Sequence, residues 1–285
     1  MSADLDVYVE HVGNFQRARG YTLTYLIDDL RGRGARVIVR DRFDGSNLGR
    51  AALVHVDLTD VPSEFRPIAD HYPLAINGRA LSIRRTLYSA ARITADSSWS
   101  GPVIVKTVLN AGGRPERRYR RAHSVSARLI HAARKFVPRL GVAPPHPYQV
   151  FASIAEVPAA IWSEESLIVE RFLPGSLDLP IVKYRFLFCL EAEVTLRGTF
   201  DDLFCRGKFI LDHGTVSEGP PAEVRAIRER LQVDFGAIDY FIVDGVATVV
   251  DVNKTVGTSQ AWWQRYPFMR AYVGRAGAAL AARVC

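Results

Sequence analysis

The sequence predicts an α/β protein whose later part is of α+β type, and three observations predict it. The first third alternates apolar strand patterns with a helical pattern. The middle holds an apolar strand that ends in Lys106 and runs into the glycine loop "NAGG". The last third is rich in paired strand patterns and closes on "VVDVNKTVG".

The elements follow in order. "DVYVEH" is a short strand pattern. "GYTLTYLIDDLRGRG" places Leu23, Leu26, Ile27 and Leu30 at helical spacing, and Gly34 can end the helix. "ARVIVRD" and "AALVHVDL" are apolar, β-branched strands, and strand–helix–strand order favours a small, mostly parallel sheet. Asn77-Gly78 marks a turn, and "SSWSG" at 97–101 reads as a linker. The basic stretch predicts a helix over 119–136, and the proline-rich "GVAPPHPYQVF" must be extended. "SLIVERFLPG" is an apolar strand that breaks at proline. "IVKYRFLFCLEAEVTLRG" and "DLFCRGKFIL" alternate as antiparallel strands do. "PPAEVRAIRERLQV" is a helix with proline at its start, acids in its first turn and Val224, Ile227 and Leu231 on one face. "AIDYFIV" and "VATVVDVN" flank the turn Asp244-Gly245, a hairpin signal, and a final helix is expected over 262–283.

Composition excludes several classes. The chain has 285 residues, 48% hydrophobic and 24% charged, which is ordinary globular usage. No run approaches the roughly 18 apolar residues of a membrane span, and the N-terminus lacks the basic and apolar regions of a secretory signal. Cys189, Cys205 and Cys285 match no zinc or redox spacing and point to a reducing, cytoplasmic setting. The net charge of +7 is local: residues 114–139 hold nine Lys/Arg against one acid, Glu116. Such a patch is a solvated face or steers an anionic partner. There are 32 arginines but only five lysines, Lys106, Lys135, Lys183, Lys208 and Lys254, so each lysine stands out.

Chemistry concentrates in two places. Asp251 and Asn253 share a strand face because the side-chain period is two. Pairing from the Asp244-Gly245 turn sets Asp239 opposite Val250 or Asp251. Three hard oxygen donors then gather at one end of a sheet face, which suits Mg²⁺; an exposed hairpin with a polar wet face is the plain alternative. Lys106 ends a strand that looks buried on both faces, so its ammonium needs an anion. The glycines that follow let backbone N–H groups wrap one, so strand, lysine and loop suggest phosphate; a strand end and an ordinary turn is the plain alternative. No Walker A pattern is present.

In this order the motifs resemble the ATP-grasp superfamily, in particular its carboxylate–amine ligases of the RimK and glutathione-synthetase type. "GPVIVKTVLNAGG", "SLIVERFLP", "KYRFLF" and "FGAIDYFIVDGVATVVDVNKTVG" carry the likeness. The resemblance implies an ATP-grasp fold over 98–285, with a lid part at 98–170 and a metal-bearing part at 171–285. A pre-ATP-grasp, Rossmann-like domain would span 1–97. ATP and Mg²⁺ (with Mn²⁺ as a substitute) are the implied cofactors. Lys106 would contact adenine and phosphates, and Asn110, Gly112 and Gly113 would lie in the loop over the phosphates. Glu170, Arg171, Phe172 and Leu173 form the adenine hinge, Glu170 and Phe172 acting through their backbones. Arg85 or Arg84 would add a phosphate contact, and Asp178 or Lys183 one near the ribose or phosphates. Lys183 stands where the family usually has an acid, two residues before the basic position filled by Arg185. Asp239, Asp251 and Asn253 would hold Mg²⁺, and Arg206 or Lys208 would face an acyl-phosphate.

The implied reaction phosphorylates a carboxylate and lets an amine displace the phosphate. This asks for positioning and positive charge rather than a protein nucleophile. The expected partners are small-molecule or peptide carboxylates and amines, and homodimers are common in the family. Nucleic acid and membrane are not expected. One alternative keeps the fold but phosphorylates a metabolite. Another is a nucleotide-dependent RNA- or protein-binding factor using the 114–139 patch, although Tyr119 is its sole aromatic before residue 136. The seven histidines are scattered and receive no role.

Overall fold

A computed structural model describes residues 3–18, 20–123, 148–173, 178–207 and 210–284. Contacts divide the chain into two compact units, Arg84–Leu177 and a larger one of Met1–Ile83 with Asp178–Cys285. Compactness therefore groups residues differently from the linear division at 97/98. "SSWSG" lies inside the smaller unit, where Trp99 packs on its core and donates from Nε1 to the Pro102 carbonyl at 3.0 Å.

The larger unit holds two sheets. Strands β1 (Leu5–Tyr8), β2 (Val37–Arg40), β3 (Ala51–Val54) and β4 (Ala75–Ile76) form a parallel sheet in the order β2-β1-β3-β4. Helices α1 (Val12–Ala18) and α2 (Thr22–Gly32) follow β1, and the short α3 (Ile68–His71) precedes β4. The expected stripe on α2 is buried: Leu23, Leu26, Ile27 and Leu30. Each such side chain is worth about 1.5–3 kcal/mol when fully removed from water.

The smaller unit comes next in the chain. Strands β5 (Val103–Thr107), β6 (Tyr148–Phe151) and β7 (Leu167–Arg171) form an antiparallel sheet in the order β6-β5-β7. Val103, Val105 and Val169 point to its core with Val157. Helix α4 (Arg114–His123) begins five residues earlier than expected, because Pro115 in its first turn loses no needed N–H. The remainder of the basic stretch lies outside the described residues. The short α5 (Ala159–Trp162) precedes β7.

The five-stranded sheet of the larger unit runs β10-β9-β8-β11-β12, all antiparallel. Its strands are β8 (Ile181–Cys189), β9 (Ala192–Phe200), β10 (Ile210–Val216), β11 (Phe235–Val243) and β12 (Val246–Asn253). The strand expected from "DLFCRGKFIL", 202–211, instead lies at 210–216 and shares only Ile210 and Leu211 with it, for 201–207 form turns in which Asp202 and Arg206 pair. Helix α6 (Ala222–Arg230) lies between β10 and β11 in the chain. The expected terminal helix is two, α7 (Gln260–Arg265) and α8 (Pro267–Val284). Tyr266, before Pro267, is extended as a residue preceding proline tends to be, and this breaks the run. One core joins both sheets of this unit: Leu5, Val7 and Leu53 meet Leu187, Cys189, Phe235 and Ala237, with Met269, Tyr272 and Leu280 of α8. Asn77 adds a polar tie, for its side chain bonds Phe235 N, Phe235 O and Asp234 N at 2.8–3.0 Å.

Candidate functional site

The metal-type residues sit where the apolar face of the five-stranded sheet turns polar. On β8 and β11, Leu187 and Cys189 share a face with Phe235 and Ala237, and Arg185 and Asp239 continue it. Arg185, Asp239 and Asp251 stand opposite one another across three strands. The pairing with Asp251 depends on a β-bulge: the ladder runs regularly from the turn to Tyr240–Val249, then skips Val250. Without that extra residue Asp239 would oppose Val250, and Asp251 and Asn253 would point to the other face. The bulge brings Asp239, Asp251 and Asn253 to one side.

Asp239 is buried and already charge-paired. Its carboxylate accepts from Arg185 Nε and a terminal nitrogen at 2.6 and 2.8 Å, and from Lys183 Nζ at 3.1 Å. Burial alone would raise its pKa, but the Arg185 and Lys183 charges outweigh burial and hold it well below the usual carboxylate range. Lys183 therefore meets an acid of the neighbouring strand. Asn253 Oδ1 accepts from Thr255 N at 2.8 Å, and the Thr255 hydroxyl donates to Asp57 at 2.7 Å, so the amide is held from β3's side. Lys254, just past the end of β12, is 2% exposed, with Nζ 3.5 Å from the Ala80 carbonyl.

Two carboxylates and an amide oxygen are a hard donor set of the kind Mg²⁺ takes, and the residues fit it in kind. Among the described residues no group of three or more His, Cys, Asp and Glu gathers as a metal site; the set here counts on the amide for its third donor.

His213, which sequence reasoning passed over, belongs to this face. It pairs with Gly198 on β9, and Gly198 pairs with Lys183 on β8. Its ring packs among Trp262, Tyr266 and Phe268 at 4.8, 5.2 and 5.3 Å. Burial first, then the charges of Arg185 and Lys183, push its pKa down to about 4, so it is neutral at pH 7. The aromatic-rich "AWWQRYPF" was its available signal.

The nucleotide-type residues lie in the smaller unit. Lys106 and Glu170 are diagonal neighbours on the sheet face opposite the valine core, with Nζ 2.7 Å from Oε2. The anion that buried Lys106 requires is thus a carboxylate of the protein. Burial pushes the Glu170 carboxyl up, and the charges of Lys106 and buried Arg85 outweigh it and hold it down. Sequence reasoning had assigned Glu170 only a backbone role. At the hinge, Phe172 N–H donates to the Pro102 carbonyl at 2.9 Å. Phe172 and Leu173 are buried, and Arg171 donates to the Ala90 carbonyl at 3.3 Å and lies over Trp99. Asn110–Gly113 form a tight turn with Ala111, Gly112 and Gly113 all at positive φ, and Asn110 Oδ1 accepts from Ala111 N at 2.8 Å.

The remaining expected residues are less committed to a site. Arg206 is bound by Asp202 at 2.6 Å and is half-exposed. Asp178 is exposed, and Lys208 lies outside the described residues.

No family model matches the chain, and no curated protein does. Solved structures do. The ATP-grasp ligase PsnB, complexed with a phosphomimetic variant of a minimal precursor, Mg and ADP, superimposes over 100% of both chains at a TM-score of 0.51 and 10% identity. PsnB with its minimal precursor does so over 100% of both at 0.50 and 12%. A RimK domain ATP-grasp protein from Sphaerobacter thermophilus covers 98% of each chain at 0.47 and 13%. The chain has the ATP-grasp fold.

Proposed function

We propose that this chain is an ATP- and Mg²⁺-dependent carboxylate–amine ligase of the RimK-like kind, acting through an acyl-phosphate. The observation that carries the reading is the row Arg185–Asp239–Asp251 on one sheet face, with Lys183 and Asn253 beside it, in a chain of this fold. PsnB, a ligase seen with Mg, ADP and a precursor variant, supports the same cofactor pair. The pre-ATP-grasp domain at 1–97 and the ATP-grasp domain at 98–285 belong to the proposal.

Asp239, Asp251 and Asn253 would hold Mg²⁺, for which Mn²⁺ could substitute. When bound, the metal would withdraw charge from the transferring phosphoryl group. Lys183 and Arg185 add fixed positive charge for the phosphates. In the smaller unit, Lys106, Arg85 and the 110–113 loop would take phosphates, with Glu170 orienting Lys106. The Phe172 carbonyl and Leu173 would meet adenine. Arg206 would have to leave Asp202 to face an acyl-phosphate.

A screen of carboxylates paired with amines for ADP release tests the reading. Release that needs Mg²⁺, a carboxylate and an amine together is expected, with loss of about 100-fold or more in Asp251→Asn. A stable phosphorylated product formed without any amine would overturn it.

A further inference from the structure

The two carboxylates at the polar end of the sheet are matched by two cations. Lys183 and Arg185 both bond Asp239, at 3.1 and 2.6 Å, and Lys183 also lies over the Phe200 ring at 5.2 Å. Nearby His213 is neutral at pH 7, and burial pushes the Cys205 thiol up to about 11, so neither adds charge. Lys183, Arg185, Asp239 and Asp251 thus sum to zero before any metal arrives. A divalent cation entering alone would add two uncompensated charges beside two fixed cations. In a partly buried setting that repulsion is large. The negative charges of a nucleotide polyphosphate entering with the metal more than offset the metal's own and give the lysine an anion of its own.

We infer that Lys183 is a resident counter-cation that occupies Asp239 against a lone divalent ion, so that metal and nucleotide bind this chain as a coupled pair. This rests on the proposed metal role of Asp239, Asp251 and Asn253. The coupling is reciprocal: nucleotide tightens metal binding by the factor that metal tightens nucleotide binding.

Mn²⁺ binding to the full chain without nucleotide, followed by the electron paramagnetic resonance of free Mn²⁺, tests the inference. Two neutral variants, Lys183→Met and Lys183→Gln, guard against one failing to fold; thermal melting checks each. Either should bind Mn²⁺ at least about tenfold tighter than wild type, because one opposing charge is gone. Lys183→Arg, which keeps the cation, should bind no tighter than wild type. Calorimetry with a non-hydrolysable ATP analogue should show wild-type nucleotide binding strengthened by Mg²⁺, and Asp251→Asn should lose that gain. If the neutral variants bind Mn²⁺ no tighter while Asp251→Asn still loses the gain, the lysine inference fails and the metal assignment stands. If Asp251→Asn and Asn253→Ala both keep the gain, the metal assignment fails and the inference with it.

Discussion

At Lys106 and Glu170 the chain carries a buried ion pair whose members cost more apart than together. Glu170 is fully buried, and Lys106 pairs with it at 2.7 Å. Lys106→Met should destabilise the fold by about 3 kcal/mol in urea unfolding, because it strands a buried carboxylate. The double change Lys106→Met with Glu170→Leu should recover much of that loss. A single variant as stable as wild type would show that Arg85 alone satisfies Glu170. His55 gives a second test at this scale. It is 1% exposed, packs against Phe15 and Tyr21, and burial pushes its pKa down to about 3. The unfolded value is near 6.5, so between those two values the unfolded chain holds a proton that the folded chain refuses. Its contribution is whole above about pH 6.5 and declines as pH falls, by about 1.4 kcal/mol per unit. Denaturant unfolding at pH 7 and pH 5 should therefore differ by about 2 kcal/mol more in wild type than in His55→Gln. Equal differences would place the proton uptake elsewhere.

The element that decides the site is the hairpin of β11 and β12. Its turn has Asp244 at φ 50° and Gly245 at φ 78°, both left-handed, as a two-residue hairpin turn requires. Gly245→Ala should cost about 1 kcal/mol by chemical denaturation, since alanine is strained there; no loss would mean the turn relaxes. This hairpin was legible from Asp-Gly between apolar runs. The bulge at Val250 was not, because no glycine or turn residue marks it. Pattern alone could thus gather the donors near one end of the hairpin without fixing which of Val250 and Asp251 faces Asp239. The partner of Lys106 was hidden for a related reason: a diagonal contact between strands distant in sequence leaves no local period. The break before Pro267 was written in the sequence, yet apolar spacing continues through it, so one helix was expected where two form.

Across the whole molecule, the order of motifs carried more than any single motif. Lysine strand, glycine loop, apolar hinge and acidic hairpin follow one another in the order that carries the resemblance to the ATP-grasp superfamily, and the PsnB superpositions extend over the full chain. Substrate identity was not legible, because the side chains that would read it carry no fixed spacing; His213 among its three aromatic rings shows how such a group escapes a linear reading. The excess positive charge sits mostly in 114–139, of which 114–123 are described as helix. Among the described residues, no helix is long and apolar enough to cross a membrane. In the proposed reaction a substrate carboxylate attacks the γ-phosphate of ATP, and an amine then attacks the acyl carbon and displaces phosphate. The most direct measurement uses a carboxylate labelled with ¹⁸O, found by the ADP-release screen, and mass analysis of the phosphate formed. Transfer of one ¹⁸O atom from the carboxylate into inorganic phosphate is the predicted result. Inorganic phosphate free of the label, with amide product formed, would contradict it.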